Sequence, residues 1–105
     1  MNLIGELTTM YVLTVEMRIR PEHCDDFAAA ITRQAQSSVS EESDCHGFQV
    51  ARSEDDPQLF LLYEVYTDKA AFDHHCELPR SKESGARTKP WVQSMTVKIW
   101  SALSG

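Results

Sequence analysis

The chain predicts an α+β fold of order β-α-β-β-α-β, one antiparallel sheet with both helices on a single face. Two observations carry that order. Four segments, at 10–20, 46–52, 59–66 and 95–100, have the length and apolar content of strands, and a stretch with apolar residues three and four apart follows the first and the third of them. Between the second and third strands lies only the acidic turn Glu54-Asp55-Asp56-Pro57, so those two pair as an antiparallel hairpin.

Each element has its own signature. In the first strand Leu13, Val15, Met17 and Ile19 share one face, and Thr14, Glu16 and Arg18 share the other. Pro21-Glu22 then opens a helix, with proline suited to the first turn and Glu22, Asp25 and Asp26 placed where the helix dipole favours negative charge. Cys24, Phe27, Ala28, Ile31, Ala35 and Val39 fall on its apolar stripe, and the polar run from Ser37 to Asp44 breaks the pattern. After the hairpin, Asp68 is placed to cap a second helix with Ala71, Phe72, His75, Cys76 and Leu78 on its inner side and Asp73, His74 and Glu77 outward. Residues 79–89 carry Gly85 and the basic group Arg80, Lys82, Arg87 and Lys89 without a sustained period, which reads as a short helical turn plus a loop. This is the split, ferredoxin-like arrangement. It forms one domain over 10–103, preceded by an extension at 1–9, and the sheet face without helices carries apolar residues from the Phe60/Leu62 or Leu61/Val65 set, which face-to-face homodimerisation would bury.

Composition excludes several partner classes. With 16 acidic against 10 basic residues the net charge is −6, and no long Lys/Arg cluster is present, which argues against nucleic acid. No apolar run approaches the ~18 residues that span a bilayer, and the first ten residues lack the basic start and apolar centre of a signal peptide, so a cytoplasmic location and no membrane partner are expected. Cys24, Cys45 and Cys76 are odd in number and lack a C-x-x-C spacing, as reduced thiols are. Cys45-His46 and His75-Cys76 are adjacent pairs, but helical neighbours point ~100° apart and grip one ion poorly, so no metal site is expected.

One residue stands out against this background. Glu64 lies in the middle of the strand Leu59-Phe60-Leu61-Leu62-Tyr63-Glu64-Val65-Tyr66, where a carboxylate requires a partner or a purpose. Tyr63 and Tyr66 flank it, and the inward His75 lies one helical layer away, so acid, phenol and imidazole can meet in one pocket.

Two segments carry a resemblance to a known family. Glu42-Ser43-Asp44-Cys45-His46-Gly47-Phe48-Gln49-Val50 is similar to a motif E-P-G-C-x-x-(Y/F)-x-V, and Leu62-Tyr63-Glu64-Val65-Tyr66-Thr67-Asp68 followed by Ala71 and His75 resembles the strand-helix segment of the antibiotic biosynthesis monooxygenase domain family, small dimeric α+β barrels. The branch that resembles this chain most includes autoinducer-2 processing proteins and quinol monooxygenases. Two departures stand out: Pro79-Arg80-Ser81 replaces the family's P-H-(F/Y), and Ser43-Asp44 replaces its Pro-Gly turn. The haem-degrading branch places a tryptophan on the sheet, whereas Trp91 and Trp100 come late here, which disfavours that activity.

The resemblance implies oxidation of an electron-rich phenol, anthrone or quinol by dioxygen with no cofactor. Such chemistry calls for a base, a hydrogen-bond donor and aromatic walls around a dry pocket. His75 is the expected base, since an unperturbed imidazole titrates near neutrality. Glu64 is expected to orient His75 or to act as the base itself, Tyr63 or Tyr66 to hydrogen-bond the substrate, Phe48 and Phe72 to wall it, and Arg80 to meet an anionic substrate at the mouth. Two other readings use the same residues: an isomerase of a phosphorylated hydroxy-dione, and a non-catalytic dimer that binds a small ligand.

Overall fold

The computed structural model describes residues 10–104, so the expected extension at 1–9 lies outside the described residues. Strand β1 (Tyr11–Ile19) leads through a 3₁₀ turn (Pro21–His23) into α1 (Cys24–Glu41), and β2 (Cys45–Arg52) pairs with β3 (Leu59–Tyr66) as a hairpin. Helices α2 (Lys69–Glu77) and α3 (Pro79–Thr88) follow, and a second 3₁₀ turn (Lys89–Trp91) enters β4 (Val92–Ser101). The sheet order is β2-β3-β1-β4 with every neighbouring pair antiparallel, the ferredoxin-like arrangement expected.

Register fixes which residues share a face. Leu13, Val15 and Met17 of β1 stand opposite Glu64, Leu62 and Phe60 of β3 and opposite Ile99, Val97 and Met95 of β4. Cross-strand neighbours point the same way, so these residues form the helix-side face, which the helices cover over β1 and β3 but leave about half exposed at Met95, Val97 and Ile99 of the edge strand β4. Thr14 and Glu16 stand opposite Tyr63 and Leu61, and these form the other face, where Leu61, Tyr63 and Trp100 are about half exposed. Of the two apolar sets weighed for that face, it is Leu61/Val65 that occupies it, while Phe60 and Leu62 enter the core.

The core lies between the helix-side face and α1. Ile19, Phe27, Phe60 and Tyr66 are the large apolar side chains with almost no exposure, and Phe27 meets Phe60 edge to face, with centroids 4.9 Å apart. That geometry sets the positive ring edge of one against the negative face of the other.

Two sequence expectations change. Helix α1 runs on to Glu41 rather than breaking at the serines, because Ser38 is fully buried and its hydroxyl donates to the Gln34 carbonyl at 2.8 Å inside the helix. Its buried stripe is consequently Cys24, Phe27, Ala30, Ile31, Gln34, Ala35 and Ser38, and Val39 is outside it. Residues 79–88 form a ten-residue helix, α3, in place of a turn and loop. Pro79 starts it at a position where no intrahelical N–H is needed. Its inner side carries Ser81, Ser84, Gly85 and Thr88, so no apolar periodicity marks it. Gly85, inside this helix, costs about 1 kcal/mol relative to alanine. No helix among the described residues is long and apolar enough to cross a membrane.

Truncating Phe27 to alanine removes the ring at the centre of the sheet–α1 interface. It is expected to cost about 3–5 kcal/mol, read as a lower denaturation midpoint in urea with the slope unchanged.

Candidate functional site

The site begins with the cap of α2. Asp68 closes the first turn by accepting from the Ala71 amide at 2.8 Å, which fixes the phase of a short helix against the end of β3. About two turns of register then decide what faces inward. His75 is the buried residue of this helix, at 7% exposure, while His74 points out. The imidazole sits among aromatic rings: Tyr66 at 5.3 Å between centroids, and Phe48 and Phe72 each at 6.2 Å.

A residue not assigned a catalytic role from the sequence holds the imidazole in place. Glu42, which caps the C-terminal end of α1, places both carboxylate oxygens near His75 Nδ1, at 2.9 and 3.0 Å. Arg80 donates to the same carboxylate at 3.0 Å and to the Ser38 hydroxyl at 3.3 Å. The side chains of Glu42 and His75 are 8% and 9% exposed. Glu42 is held there by a tight turn in which the Cys45 amide donates to the Glu42 carbonyl at 3.1 Å. Beyond it Asp44 accepts from the Thr67 amide and hydroxyl, so the turn is tied to the end of β3 without the Pro-Gly pair.

Protonation follows from these contacts. Burial opposes ionisation of Glu42 and is the largest single influence, yet the hydrogen bonds and charges of His75 and Arg80 outweigh it and hold the carboxyl below its ordinary value of 4.5. A carboxylate accepts only, so Nδ1 carries a hydrogen in either protonation state, and it is Nε2 that holds the lone pair whenever the imidazole is neutral. The structure gives Nε2 no hydrogen-bond partner among the described residues. Glu42 lies outside the cavity lining and His75 is part of it, so Nε2 is the nitrogen left to address the cavity.

That cavity, about 330 Å³, lies between the sheet and all three helices. Leu13, Val15, Met17, Phe27, Ile31 and Leu62 make its floor and back wall apolar. Glu64 enters from the floor at 5% exposure and accepts the Tyr66 hydroxyl at 2.7 Å. Burial, above all, pushes the Glu64 carboxyl up despite that hydrogen bond and the nearby His75, and burial with the adjacent Glu64 charge also pushes the Tyr66 phenol up. Tyr66 therefore stays a proton donor to Glu64.

The expected residues are thus partly assembled. His75, Glu64, Phe48 and Phe72 line one cavity, and Tyr66 stands behind Glu64 as its hydrogen-bond donor. Tyr63 lies on the opposite sheet face, beside Thr14 and Trp100, because one residue along a strand reverses the direction of the side chain. Arg80 is turned away from the cavity and engaged with Glu42, and Lys82, Arg87 and Lys89 are also absent from the lining. Glu64 accepts from Tyr66, and the orienting contact to His75 comes from Glu42. The sequence did offer one signal for it, as Glu42 heads the segment that carries the first resemblance.

Among the described residues no group of three or more His, Cys, Asp or Glu is arranged to hold a metal ion, and all three cysteines are free thiols. Burial, above all, raises the Cys45 and Cys76 thiols above their usual value, which favours the protonated thiol over the thiolate.

Solved structures share this architecture. A candidate antibiotic biosynthesis monooxygenase of Nitrosomonas europaea superposes with a TM-score of 0.87 at 24% identity, covering 93% of this chain and 96% of that one. A similarly described protein of Caulobacter crescentus gives 0.86 at 18% identity, over 98% and 97%. A conserved protein of Methanosarcina mazei gives 0.82 at 14%, over 90% and 94%. At such identities the likeness speaks for the fold. The sequence evidence is the match of the antibiotic biosynthesis monooxygenase family's model to residues 10–87, a span that contains Glu42, Glu64, Tyr66, His75 and Arg80, and by it the chain belongs to that family.

Proposed function

We propose that the protein is a monooxygenase that oxidises a small electron-rich phenol, anthrone or quinol with dioxygen, taking the electrons from the substrate itself. The observation that carries this reading is an apolar cavity into which His75 presents Nε2, with its tautomer set by the Glu42 carboxylate. The first step is transfer of a proton from the substrate's acidic O–H or C–H to Nε2. Glu42 and Arg80 stabilise the imidazolium that forms. The anion left in an apolar surround passes an electron to dioxygen, and recombination at carbon gives a peroxide anion that takes a proton back from the imidazolium to become the hydroperoxide. His75, neutral again, then removes the second C–H proton as the O–O bond breaks, which leaves one oxygen atom as the product carbonyl and releases the other as water, and the imidazolium so formed returns its proton to the carboxyl that protonates the leaving hydroxide. In this scheme Glu64, whose burial favours the neutral acid, supplies the proton that the departing hydroxide needs.

The lining also weighs against the isomerase reading. No lysine or arginine is among the residues around the cavity, and Arg80 is committed to Glu42. A phosphorylated dione would bring two negative charges beside Glu64 without a cation to receive them. The half-exposed Leu61, Tyr63 and Trp100 on the open sheet face support a face-to-face homodimer, a soluble assembly that leaves the helix side free for substrate.

The decisive assay is oxygen uptake by the protein with anthrones and hydroquinones. Wild type is expected to consume oxygen in step with substrate, and His75→Ala to lower kcat/KM by about 10²–10⁴-fold. Turnover of any of these compounds without oxygen consumption would sink the reading, and a phosphorylated hydroxy-dione turned over in its place would establish the isomerase.

The two carboxyls make opposite predictions with pH. Glu42 has its folded pKa below 4.5, so its contribution is complete above that value and fades as pH falls through the folded pKa. Glu42→Gln is expected to lose about 2–4 kcal/mol at pH 7, with the gap from wild type closing in acid. Glu64 has its folded pKa above 4.5, so its contribution is complete below that value and is lost as pH rises through the folded pKa. Glu64→Gln, which keeps an acceptor for Tyr66, is accordingly expected to match wild type near pH 4 and to be the more stable protein at pH 8. Urea titrations at the two pH values check both signs.

A further inference from the structure

Gly85 stands in the interior of α3 and lines the cavity. A Cβ built on it meets no heavy atom within 4 Å. Neither packing nor a left-handed backbone therefore requires glycine, and alanine there would favour the helix. Across the cavity mouth from α3 lie Met95 and Val97 of β4, which point to the helix side of the sheet yet are 58% and 47% exposed, because no helix extends over this edge strand. The mouth is thus a slot with Gly85 among short hydroxyl side chains on one lip and apolar side chains on the other. Two buried polar side chains, Glu64 and His75, face the interior it opens onto, and His75 Nε2 is without a partner among the described residues.

We infer that Gly85 is a specificity-determining residue that keeps this slot open for a ring substrate bearing an apolar substituent: the reacting ring sits by His75 while an alkyl chain passes over Gly85 and rests on Met95 and Val97. The inference rests on the phenol-oxidising reading of the cavity and adds to it the class of substrate, an alkyl-substituted quinol. The geometry separates the two parts of such a molecule. The ring needs the interior, where the aromatic side chains and the two titratable groups are; the chain needs only the apolar lip, and it keeps water from the mouth while the ring is in place. An unsubstituted ring would leave Met95 and Val97 exposed and gain nothing from Gly85.

Anaerobic calorimetric titration of the full chain with hydroquinone and with 2-decylhydroquinone tests this without depending on turnover. Wild type is expected to bind the alkylated probe at least tenfold more tightly. Gly85→Leu, which fills the slot, and Met95→Ser, which makes the lip polar, are each expected to weaken the alkylated probe by about tenfold, a loss equal to one or two buried methylenes, and to leave hydroquinone unchanged. Gly85→Ala serves as the folding control, with a raised midpoint of thermal unfolding and an intermediate loss of the alkylated probe. Equal affinity of the two probes for wild type, an equal loss of both in Gly85→Leu, or a change in sedimentation in place of affinity in Met95→Ser would overturn the assignment. Because binding is read anaerobically, a protein that binds the alkylated probe as described yet consumes no oxygen would refute the monooxygenase reading and leave the assigned specificity standing.

Discussion

The buried carboxylate of Glu42 is the constraint on which the site depends. It closes the end of α1, accepts from His75 on α2 and accepts from Arg80 on α3, so three helices are referred to one charge. A carboxylate withdrawn from water is stable only with good geometry and more than one donor. That requirement sets the angle between α2 and α3: Leu78 ends one helix and Pro79 begins the next, and a residue before proline disfavours helix, so the chain turns there and brings residues five apart onto the same oxygens. Because the anchor grips a histidine that lines the cavity, its other consequence is chemical, since the same hydrogen bond that joins the helices selects the histidine tautomer.

The two glutamates around His75 then divide in character although they are the same residue type. Glu42 has two cationic or hydrogen-bearing partners and is held ionised; Glu64 has a phenol as its donor and an apolar floor, and is pushed toward the neutral form. In the proposed reaction a base with an ionised partner on one side and an acid with a raised pKa on the other lets protons be removed and returned within one cavity. Phe48, Tyr66 and Phe72 pack their rings around the imidazole, and an apolar surround strengthens each of those electrostatic effects.

Strands, hairpin and the cap at Asp68 were legible because each rests on local rules, namely alternation, a short polar turn and a side chain that accepts from a backbone amide. The identity of the buried glutamate on β3 was legible for the same reason, as a charge inside an apolar strand is visible from its neighbours alone. What could not be read is what depends on register and on distant contacts. Tyr63 and Glu64 are adjacent in sequence and on opposite faces of the sheet, and only the pairing with β1 says which faces the helices. The union of Glu42 with His75 spans 33 residues, and nothing within a helical window announces it. Arg80 read as a free cation at a pocket mouth because its partner lies on another helix.

The least legible element is α3, and what it faces shows why. Apolar periodicity marks a helix when that helix buries its stripe against a core. Helix α3 instead sets Ser81, Ser84, Gly85 and Thr88 toward a space that protein atoms do not fill, and its one buried residue is Thr88. Its anchoring comes from polar contacts to α1, among them Gln34 to the Ser81 hydroxyl at 3.1 Å and Arg80 to Ser38 and Glu42. A wall of this kind contributes little hydrophobic stability and keeps a cavity that a packed leucine would close. The weak pattern over residues 79–88 and the existence of the cavity are consequently one fact: the residues there face a space in place of a packed core, while the polar anchor at Glu42 does the holding that a buried apolar stripe does elsewhere in the fold.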